Sequence, residues 1–274
     1  MWTISYTPRA DRMNDLKETS QYIFKHSDFH GKTAVILGSG LGGFTDTLTD
    51  QCTLPYAQIP HYPKSTVKGH SGELVKGMLE EKEILVAKGR VHCYEGYSRK
   101  TVTFPIRVFK ELGIENLIIT NSSGSLRRKN TPGTLMVIEG HMDFTFQDGP
   151  ADPGLISGGK FHSPELISIA KKVASDNGIH LATGNYCWTL GPAYETPAEI
   201  QYFKSLNGTA VGMSTLPEIE EGGTLGLNVL TLSTLTNFAA GISEHPLTHQ
   251  EVLHNAEKVK GRFLKLLSGI IERI

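Results

Sequence analysis

The sequence predicts one α/β domain in which a mixed or mostly parallel β-sheet is flanked by helices. The first observation is a set of short apolar runs without polar alternation, such as residues 34–37 and 116–120, which are typical of strands buried on both faces. The second is that segments with helical periodicity lie between these runs. A chain of 274 residues without an internal repeat or a visible linker indicates a single domain, residues 1–274.

The predicted elements of the first half each have a local reason. Residues 11–26 place apolar side chains on one helical face before the first strand. The apolar runs at residues 74–79 and 83–87 lie on either side of Glu80-Glu81, a pattern typical of a β-hairpin. Residues 101–112 have a helical pattern that ends at Gly113, as helices often do.

The second half continues the alternation. Strands are predicted at 116–120 and 134–139, and prolines in the first turn favour helices at 164–177 and 197–206. A loop rich in glycine and proline is predicted at residues 144–160, and two further strands at 210–214 and 227–233. The last predicted element is a C-terminal helix with an apolar stripe at residues 249–274.

The composition argues against several classes of function. With 27 basic and 28 acidic side chains the formal net charge is −1, so we expect no basic surface for nucleic acid. The three cysteines form no CxxC pair, which argues against a disulfide framework and a zinc site. No apolar run has the length of a membrane span, and the first residues do not resemble a signal peptide. We therefore expect a cytoplasmic protein that does not bind a membrane.

The first predicted strand runs into a glycine-rich turn, Gly38-Ser39-Gly40-Leu41-Gly42-Gly43. Glycines let backbone N–H groups approach a ligand closely, and such a turn can bind an anion. The letters also match the dinucleotide fingerprint, but no acidic residue follows about 20 positions later to hold a ribose hydroxyl. An anion loop is therefore favoured over a nicotinamide or flavin site, and a tight turn without a ligand is the structural alternative.

Chemically active side chains follow several predicted strands, where open α/β sheets gather ligands. If extended geometry continues through residues 89–97, Arg90, His92 and Tyr94 face one side. Arginine offers a fork suited to phosphate, and histidine and tyrosine add donors. Ordinary packing of a half-buried histidine and tyrosine is the alternative. The other polar or sulfur-bearing residues just beyond strand ends are Ser39, Ser122, Met213, Ser214 and Asn237.

Three further features have both a functional and a structural interpretation. His70 lies in a glycine-flanked loop, where a single histidine is usually only solvated. Tyr194 could stack on a heterocycle while Glu195 accepts from its ring N–H, or Glu195 could cap the next helix. Asn237 offers a donor and an acceptor to the edge of a base, although a turn-forming asparagine is commoner.

Other catalytic chemistries lack support in the sequence. No serine has the spacing of a nucleophile elbow, and no closely spaced pair of carboxylates indicates a glycoside hydrolase. The eleven histidines include no HExxH motif, and His249 and His254 are five positions apart, which does not place them on one helix face. No metal site is predicted.

Together, seven dispersed motifs resemble those of the trimeric, low-molecular-mass purine nucleoside phosphorylases, from about Lys32 to the C-terminus. The motifs are residues 36–43, 69–73, 89–97, 120–126, 191–196, 211–218 and 235–237. Their common order makes the resemblance specific. It implies the nucleoside phosphorylase fold, a mixed and partly barrel-like sheet flanked by helices, and a homotrimer with sites near the subunit interfaces.

The resemblance also implies an activity in purine salvage: phosphorolysis of purine ribo- and deoxyribonucleosides, inosine and guanosine above all, to the free base and α-ribose 1-phosphate. Inorganic phosphate is the co-substrate, and no cofactor is implied. The implied phosphate site consists of Ser39, His70, Arg90, His92, Ser214 and the backbone at Ser122. The implied nucleoside site consists of Tyr94 and Met213 at the ribose, Tyr194, Glu195 and Asn237 at the purine, and His249 near the ribose 5′-hydroxyl. The candidate catalytic residues are His92, Glu195, Asn237 and His249.

The chain departs from the family pattern at several places. Ser122-Ser123 stands where two alanines are common, which adds a hydroxyl near phosphate, and Tyr194 replaces a phenylalanine. Glu220-Glu221 lies in a stretch that usually contains Ala-Arg-His, which disfavours a helix there and places two carboxylates near Ser214. The loop 144–158 does not align, and Phe146 is the candidate for the aromatic that a neighbouring subunit normally lends.

Asn237 bears on the choice of substrate. Methylthioadenosine phosphorylases of the same superfamily typically have an aspartate at this position, so asparagine favours a 6-oxopurine. The alternatives are a methylthioadenosine-type phosphorylase, a noncatalytic nucleoside-binding module and a dinucleotide-binding oxidoreductase.

Overall fold

The computed structural model describes residues 13–65, 71–147, 149–243 and 249–274, with the backbone alone for 249–253. His70 and the side chain of His249, two of the predicted site residues, therefore lie outside the described part of the chain. Within that part, no helix is long and apolar enough to cross a membrane.

Ten strands of the described residues form one mixed sheet. They are β1 (Thr33–Leu37), β2 (Thr49–Pro55), β3 (Glu73–Leu79), β4 (Lys82–Lys88), β5 (Asn116–Ser125), β6 (Thr134–Asp143), β7 (Ile156–Ser157), β8 (Leu181–Trp188), β9 (Gly208–Gly212) and β10 (Asn228–Phe238). Their order is β10-β6-β8-β9-β5-β1-β4-β3-β2, with β7 paired to β6 and β10 also paired to β5. The β10–β5 pairing closes β10, β6, β8, β9 and β5 into a barrel, which confirms the partly barrel-like sheet.

The directions of the strands determine where the candidate site lies. β1 is parallel to both β4 and β5, and β5 is parallel to β10 along its whole length. The carboxyl ends of these four strands therefore meet at one edge of the sheet. β9 runs antiparallel to β5 and pairs with it at Gly124 and Ser125. Residues that follow β1, β4 and β9, together with the last residues of β5 and β10, are thus brought together by the topology.

Seven α-helices of the described residues pack around this sheet. They are α1 (Met13–Ser27), α2 (Arg99–Val102), α3 (Phe104–Glu111), α4 (Pro164–Asp176), α5 (Pro197–Ser205), α6 (Leu216–Thr224) and α7 (His249–Ile271). Val35 and Leu37 of β1 face a core with α4 and α7, whereas Ala34 and Ile36 face a second core with α1 and α3. Burial on both faces explains why β1 has no polar alternation and confirms that prediction.

Several predicted elements have different bounds. The helix expected at 101–112 is divided into α2 and α3 at Thr103, because Pro105 lacks an N–H and fits the first turn of a helix rather than its middle. The expected hairpin is present as β3 and β4.

Three strands were not predicted, and one of them, β7, is a two-residue strand inside the predicted loop 144–160. β2 exposes much of its polar surface, and Gly184-Asn185 interrupts the apolar pattern of β8. β5 and β10 are longer than predicted, because their polar ends pair with each other inside the barrel.

Candidate active site

One cavity of about 850 Å³, which includes space open to solvent, lies at the common carboxyl edge of β1, β5 and β10. Every predicted site residue whose side chain is described lines it: Ser39, Arg90, His92, Tyr94, Ser122, Tyr194, Glu195, Met213, Ser214 and Asn237. Within the described residues, no group of three His, Cys, Asp or Glu side chains could hold a metal ion.

The glycine-rich turn after β1 is shaped by its contact with β5. A Cβ at Gly38 would lie 2.8 Å from Asn121 Cα, so only glycine fits there, and Gly40 has a φ of +78°. The Gly38 N–H donates to Thr120 Oγ1 at 3.0 Å and is therefore engaged within the protein. A short 3₁₀ turn and β2 follow instead of a crossover helix, which argues further against a dinucleotide site.

Arg90 follows β4 and lines the cavity as a buried side chain. Its Nη1 donates to Ser214 Oγ and to Thr215 Oγ1, both at 3.1 Å, and its Nη2 donates to the Thr120 carbonyl at 2.6 Å. Its Nε lies 3.3 Å from Glu218 Oε1 on α6. The guanidinium is thus buried with its plane fixed. Sequence reasoning missed the role of Glu218, although the motif 211–218 contains it.

Glu218 and Arg90 form a buried ion pair. Burial raises the pKa of the Glu218 carboxyl above its usual range, and the positive charge of Arg90 opposes that rise. Glu218 lies on the Nε side of Arg90, and the guanidinium lines the cavity beside Ser214. This arrangement suits an anion.

His92 and Tyr94 reach the cavity by a route different from the predicted one. Extended backbone ends at His92, and Cys93–Glu95 forms a 3₁₀ turn, so the expected alternation over 90, 92 and 94 is wrong. The turn instead stacks the Tyr94 ring on the His92 ring, with centroids 4.6 Å apart. Both side chains still line the cavity.

Glu95 sets the state of His92, a role that sequence reasoning missed. Glu95 Oε1 accepts from the His92 backbone N–H at 2.7 Å and lies 3.0 Å from Nδ1. Burial lowers the pKa of His92 to about 4, although the hydrogen bond to Glu95 opposes the change. The imidazole is therefore neutral near pH 7, with its hydrogen on Nδ1 because Glu95 accepts there.

Glu195 lines the cavity next to Tyr194, which is 49% exposed. Thr189 Oγ1 donates to Glu195 Oε1 at 2.7 Å, and burial raises the pKa of the Glu195 carboxyl. The helix-capping alternative is wrong, since Thr196 caps α5 and Glu199 completes the capping box.

Gly191 lets the two expected ribose contacts come together. Its φ is +72°, and a Cβ there would lie 2.5 Å from Met213 Sδ and 3.2 Å from Tyr94 Cδ1. A side chain at this position would therefore displace both residues from the cavity wall.

Asn237 lies inside β10 rather than in a turn, so the turn-forming alternative is wrong. The register of β10 against β5 shifts between Leu235 and Asn237, and this bulge directs the amide into the cavity. Oδ1 accepts from Thr236 Oγ1 at 3.0 Å, and Nδ2 donates to the Phe238 carbonyl at 2.9 Å. Gly124 on β5 leaves room for Nδ2, which would lie 3.2 Å from a Cβ there.

The departures from the family pattern have structural explanations. Ser122 Oγ in β5 donates to the Ser39 carbonyl at 3.1 Å and ties β5 to the glycine-rich turn. The helix that the residues around Glu220-Glu221 disfavour is present as α6, and neither of these two carboxylates lines the cavity. Glu220 Oε2 lies 2.6 Å from Arg99, and Glu221 Oε1 lies 2.9 Å from Arg107. Both carboxylates are therefore paired with arginines outside the cavity that Ser214 lines.

Phe146, the candidate for a lent aromatic, is 46% exposed and does not line the cavity of its own chain. It lies beside Arg99 and Glu220 in a separate surface recess.

Comparison with known proteins agrees with this geometry. The family model described as the phosphorylase superfamily matches residues 32–272. Purine nucleoside phosphorylase 1 of Geobacillus stearothermophilus is 42% identical over 268 residues, covering 94% of this chain and 97% of that protein. A Schistosoma mansoni purine nucleoside phosphorylase in complex with inosine has a TM-score of 0.87 and 31% identity, covering 96% of this chain and 97% of that chain. A second structure from that organism, in complex with adenosine, has a TM-score of 0.86 and 31% identity, covering 96% and 98%. The predicted fold is confirmed, and the chain belongs to the phosphorylase superfamily and, within it, to the purine nucleoside phosphorylases.

Proposed function

We propose that the cavity is the site at which this purine nucleoside phosphorylase cleaves 6-oxopurine nucleosides with inorganic phosphate, releasing the free base and α-ribose 1-phosphate. The observation that carries this proposal is that one cavity is lined by the buried guanidinium of Arg90, beside the Ser214 hydroxyl, and by the Glu195 carboxyl and the Asn237 amide; we assign the two pairs to its two ends. An anion and a base can occupy the two ends while the ribose lies between them.

The phosphate end would use Arg90, Ser214 and Ser39, with His70 and the backbone at Ser122. A buried guanidinium gains more from an anion than an exposed one does, because little water screens the charge. His92 would contact the same phosphate through the ring atom that does not face Glu95. Since its imidazole is neutral near pH 7, Nε2 would accept a hydrogen from a protonated phosphate oxygen.

The ribose would lie against Tyr94 and Met213, with His249 near the 5′-hydroxyl. Phosphate oxygen attacks the anomeric carbon as the bond from that carbon to the purine nitrogen breaks, and the electron pair of that bond goes to the purine. Positive charge develops on the sugar, as in the oxocarbenium-like transition states of glycosidases. The phosphate held by Arg90 would stabilise that charge as well as act as the nucleophile.

The purine end explains the preference for a 6-oxo base. A 6-oxopurine carries a hydrogen on N1 that Glu195 can accept, whereas N1 of a 6-aminopurine has only a lone pair. Asn237 would donate to the base as negative charge builds up on it, and Tyr194 would stack on its face. The relatives support this assignment in part: Schistosoma mansoni structures contain inosine and adenosine, so turnover, and not binding alone, must separate the substrates.

The remaining assignments follow the same family resemblance. We propose a homotrimer in which exposed apolar residues of the loop after β6, among them Phe146 at 46% exposure, contact a neighbouring chain. All of residues 1–274 would form one domain. Three free cysteines suit the reducing cytoplasm, where purine salvage would take place without a cofactor.

The test is purine release from inosine with and without phosphate, with adenosine and methylthioadenosine measured in parallel. We expect release from inosine only when phosphate is present, and much slower release from both 6-amino substrates. Release without phosphate would identify a hydrolase. Faster turnover of methylthioadenosine would identify the sibling activity, and binding of inosine without turnover would identify a nucleoside-binding module.

A further inference from the structure

We propose that a buried polar network beside the phosphate site fixes the Ser214 hydroxyl as a hydrogen-bond donor toward phosphate. The buried polar network consists of Thr215, Asn121, Ser233 and Ser123. These four are positioning residues, and the inference rests on the proposed phosphate site. Each is at most 4% exposed, and three come from the paired strands β5 and β10.

The network begins at Thr215, whose hydroxyl oxygen receives two hydrogen bonds. Asn121 Nδ2 donates to Thr215 Oγ1 at 2.9 Å, and Arg90 Nη1 donates to it at 3.1 Å. Amide and guanidinium nitrogens only donate, so both lone pairs of this oxygen are used. We assign the hydrogen of the Thr215 hydroxyl to Ser214 Oγ, 3.0 Å away; the Tyr186 hydroxyl also forms a side-chain hydrogen bond with Thr215 and itself donates to the Ser214 carbonyl at 3.0 Å.

This arrangement decides the direction of the Ser214 hydroxyl. Ser214 Oγ accepts from Thr215 and also from Arg90 Nη1 at 3.1 Å. Its two lone pairs are thereby occupied, and its own hydrogen is left for a group in the cavity that it lines. A phosphate oxygen needs such a donor. If the Ser214 hydrogen pointed toward Thr215 instead, Ser214 Oγ would present a lone pair to the anion and repel it.

At the far end of the network, the orientation of the Asn121 amide sets the direction of the hydrogen bonds. Ser233 Oγ donates to Asn121 Oδ1 at 2.6 Å, and Ser123 Oγ lies 2.5 Å from Ser233 Oγ. Since the Ser233 hydrogen goes to Asn121, Ser123 is the donor to Ser233. A reversed amide would take the hydrogen of Thr215 and remove it from Ser214. Each bond also polarises the next, so the direction is cooperative.

The backbone supports the same conclusion. Thr215 has a φ of +80°, and the Leu216 N–H donates to the Ser214 carbonyl at 2.9 Å, which makes Thr215 the centre of a γ-turn of the rare positive-φ form. A β-branched residue is strained in this conformation. The strain places its hydroxyl between Arg90, Asn121 and Ser214.

The test compares Thr215→Val with Thr215→Ser, which keeps the hydroxyl. The matched control is Thr231→Val, because Thr231 lies in β10, is 1% exposed, and its hydroxyl makes no hydrogen bond among the described residues. Ser214→Ala tests the phosphate site itself. Ser233→Ala tests the network at a residue that does not contact Arg90. The readouts are the KM values for phosphate and inosine and the Kd of inorganic phosphate for each variant.

We expect Thr215→Val to raise the KM and Kd for phosphate about tenfold, Ser233→Ala about threefold, and both to leave the KM for inosine within about twofold. Thr215→Ser and Thr231→Val should behave like the wild type. Equal rises in both KM values, or failure of Thr215→Ser to retain phosphate binding, would overturn the proposal. A wild-type phosphate Kd in Thr215→Val, with weak binding in Ser214→Ala, would overturn the network alone. A wild-type Kd in Ser214→Ala would overturn the phosphate site as well.

Discussion

Replacing Asn237 by aspartate probes the base end of the cavity with a change of one atom. In the structure Nδ2 donates to the Phe238 carbonyl at 2.9 Å, while Oδ1 accepts from Thr236 Oγ1. Asn237→Asp puts an oxygen in place of Nδ2. A hydrogen bond then becomes a contact between two acceptors, and the side chain can no longer donate to a 6-oxopurine.

The expected change combines two effects. With inosine the variant loses a donated hydrogen bond and leaves a buried acceptor unpaired, at a cost of about 1–3 kcal/mol. With adenosine the new carboxylate can accept from the 6-amino group, a gain of about 1 kcal/mol. The two effects add to about 3 kcal/mol, so the ratio of kcat/KM for inosine to that for adenosine should fall roughly 100-fold.

The assay is the initial rate of purine release from each nucleoside at saturating phosphate. Asn228→Asp is the control, since Asn228 is exposed at the start of the same strand and donates to Asn116. We expect the control to keep the wild-type ratio. An unchanged ratio in Asn237→Asp would refute the assignment of Asn237 to the base. An equal loss on both nucleosides would show damage to the cavity without a change in specificity.

Two further predictions concern the phosphate end. Arg90→Ala should raise the KM for phosphate about 10- to 100-fold, because a hydrogen bond to a charged group contributes about 1.5–3 kcal/mol. The control is Arg273→Ala, which removes a surface ion pair with Asp176. A wild-type phosphate KM in Arg90→Ala would exclude Arg90 from the site. The second concerns pH: the pKa of His92 is about 4 in the folded protein and near 6.5 when unfolded, so the unfolded state binds the extra proton as pH falls through this range. In phosphate-free buffer the wild type should therefore lose about 2–3 kcal/mol more stability than His92→Asn between pH 7.5 and pH 4.5, measured by urea unfolding, and equal losses would contradict the neutral state assigned to His92.

Local patterns were enough to predict much of the fold. Residues 34–37 are apolar on both faces because β1 lies between two cores, and that pattern is visible without any partner strand. The hairpin at β3 and β4 and the helices that begin with proline are likewise determined by neighbours in sequence. β2 and β8 were missed because their polar and glycine residues are stabilised by pairing, and not by a local preference.

The candidate site shows the same division. The sequence by itself determined the motifs that contain Arg90, Glu195 and Asn237, since these depend on residue type and spacing, and the family resemblance of those motifs predicted their roles. Only the tertiary structure decided how they are held: the bulge that directs Asn237 inward and the buried pair of Glu218 with Arg90. The physical reason is that these contacts join residues far apart in the chain, so their distances exist only after β5 and β10 have closed the barrel.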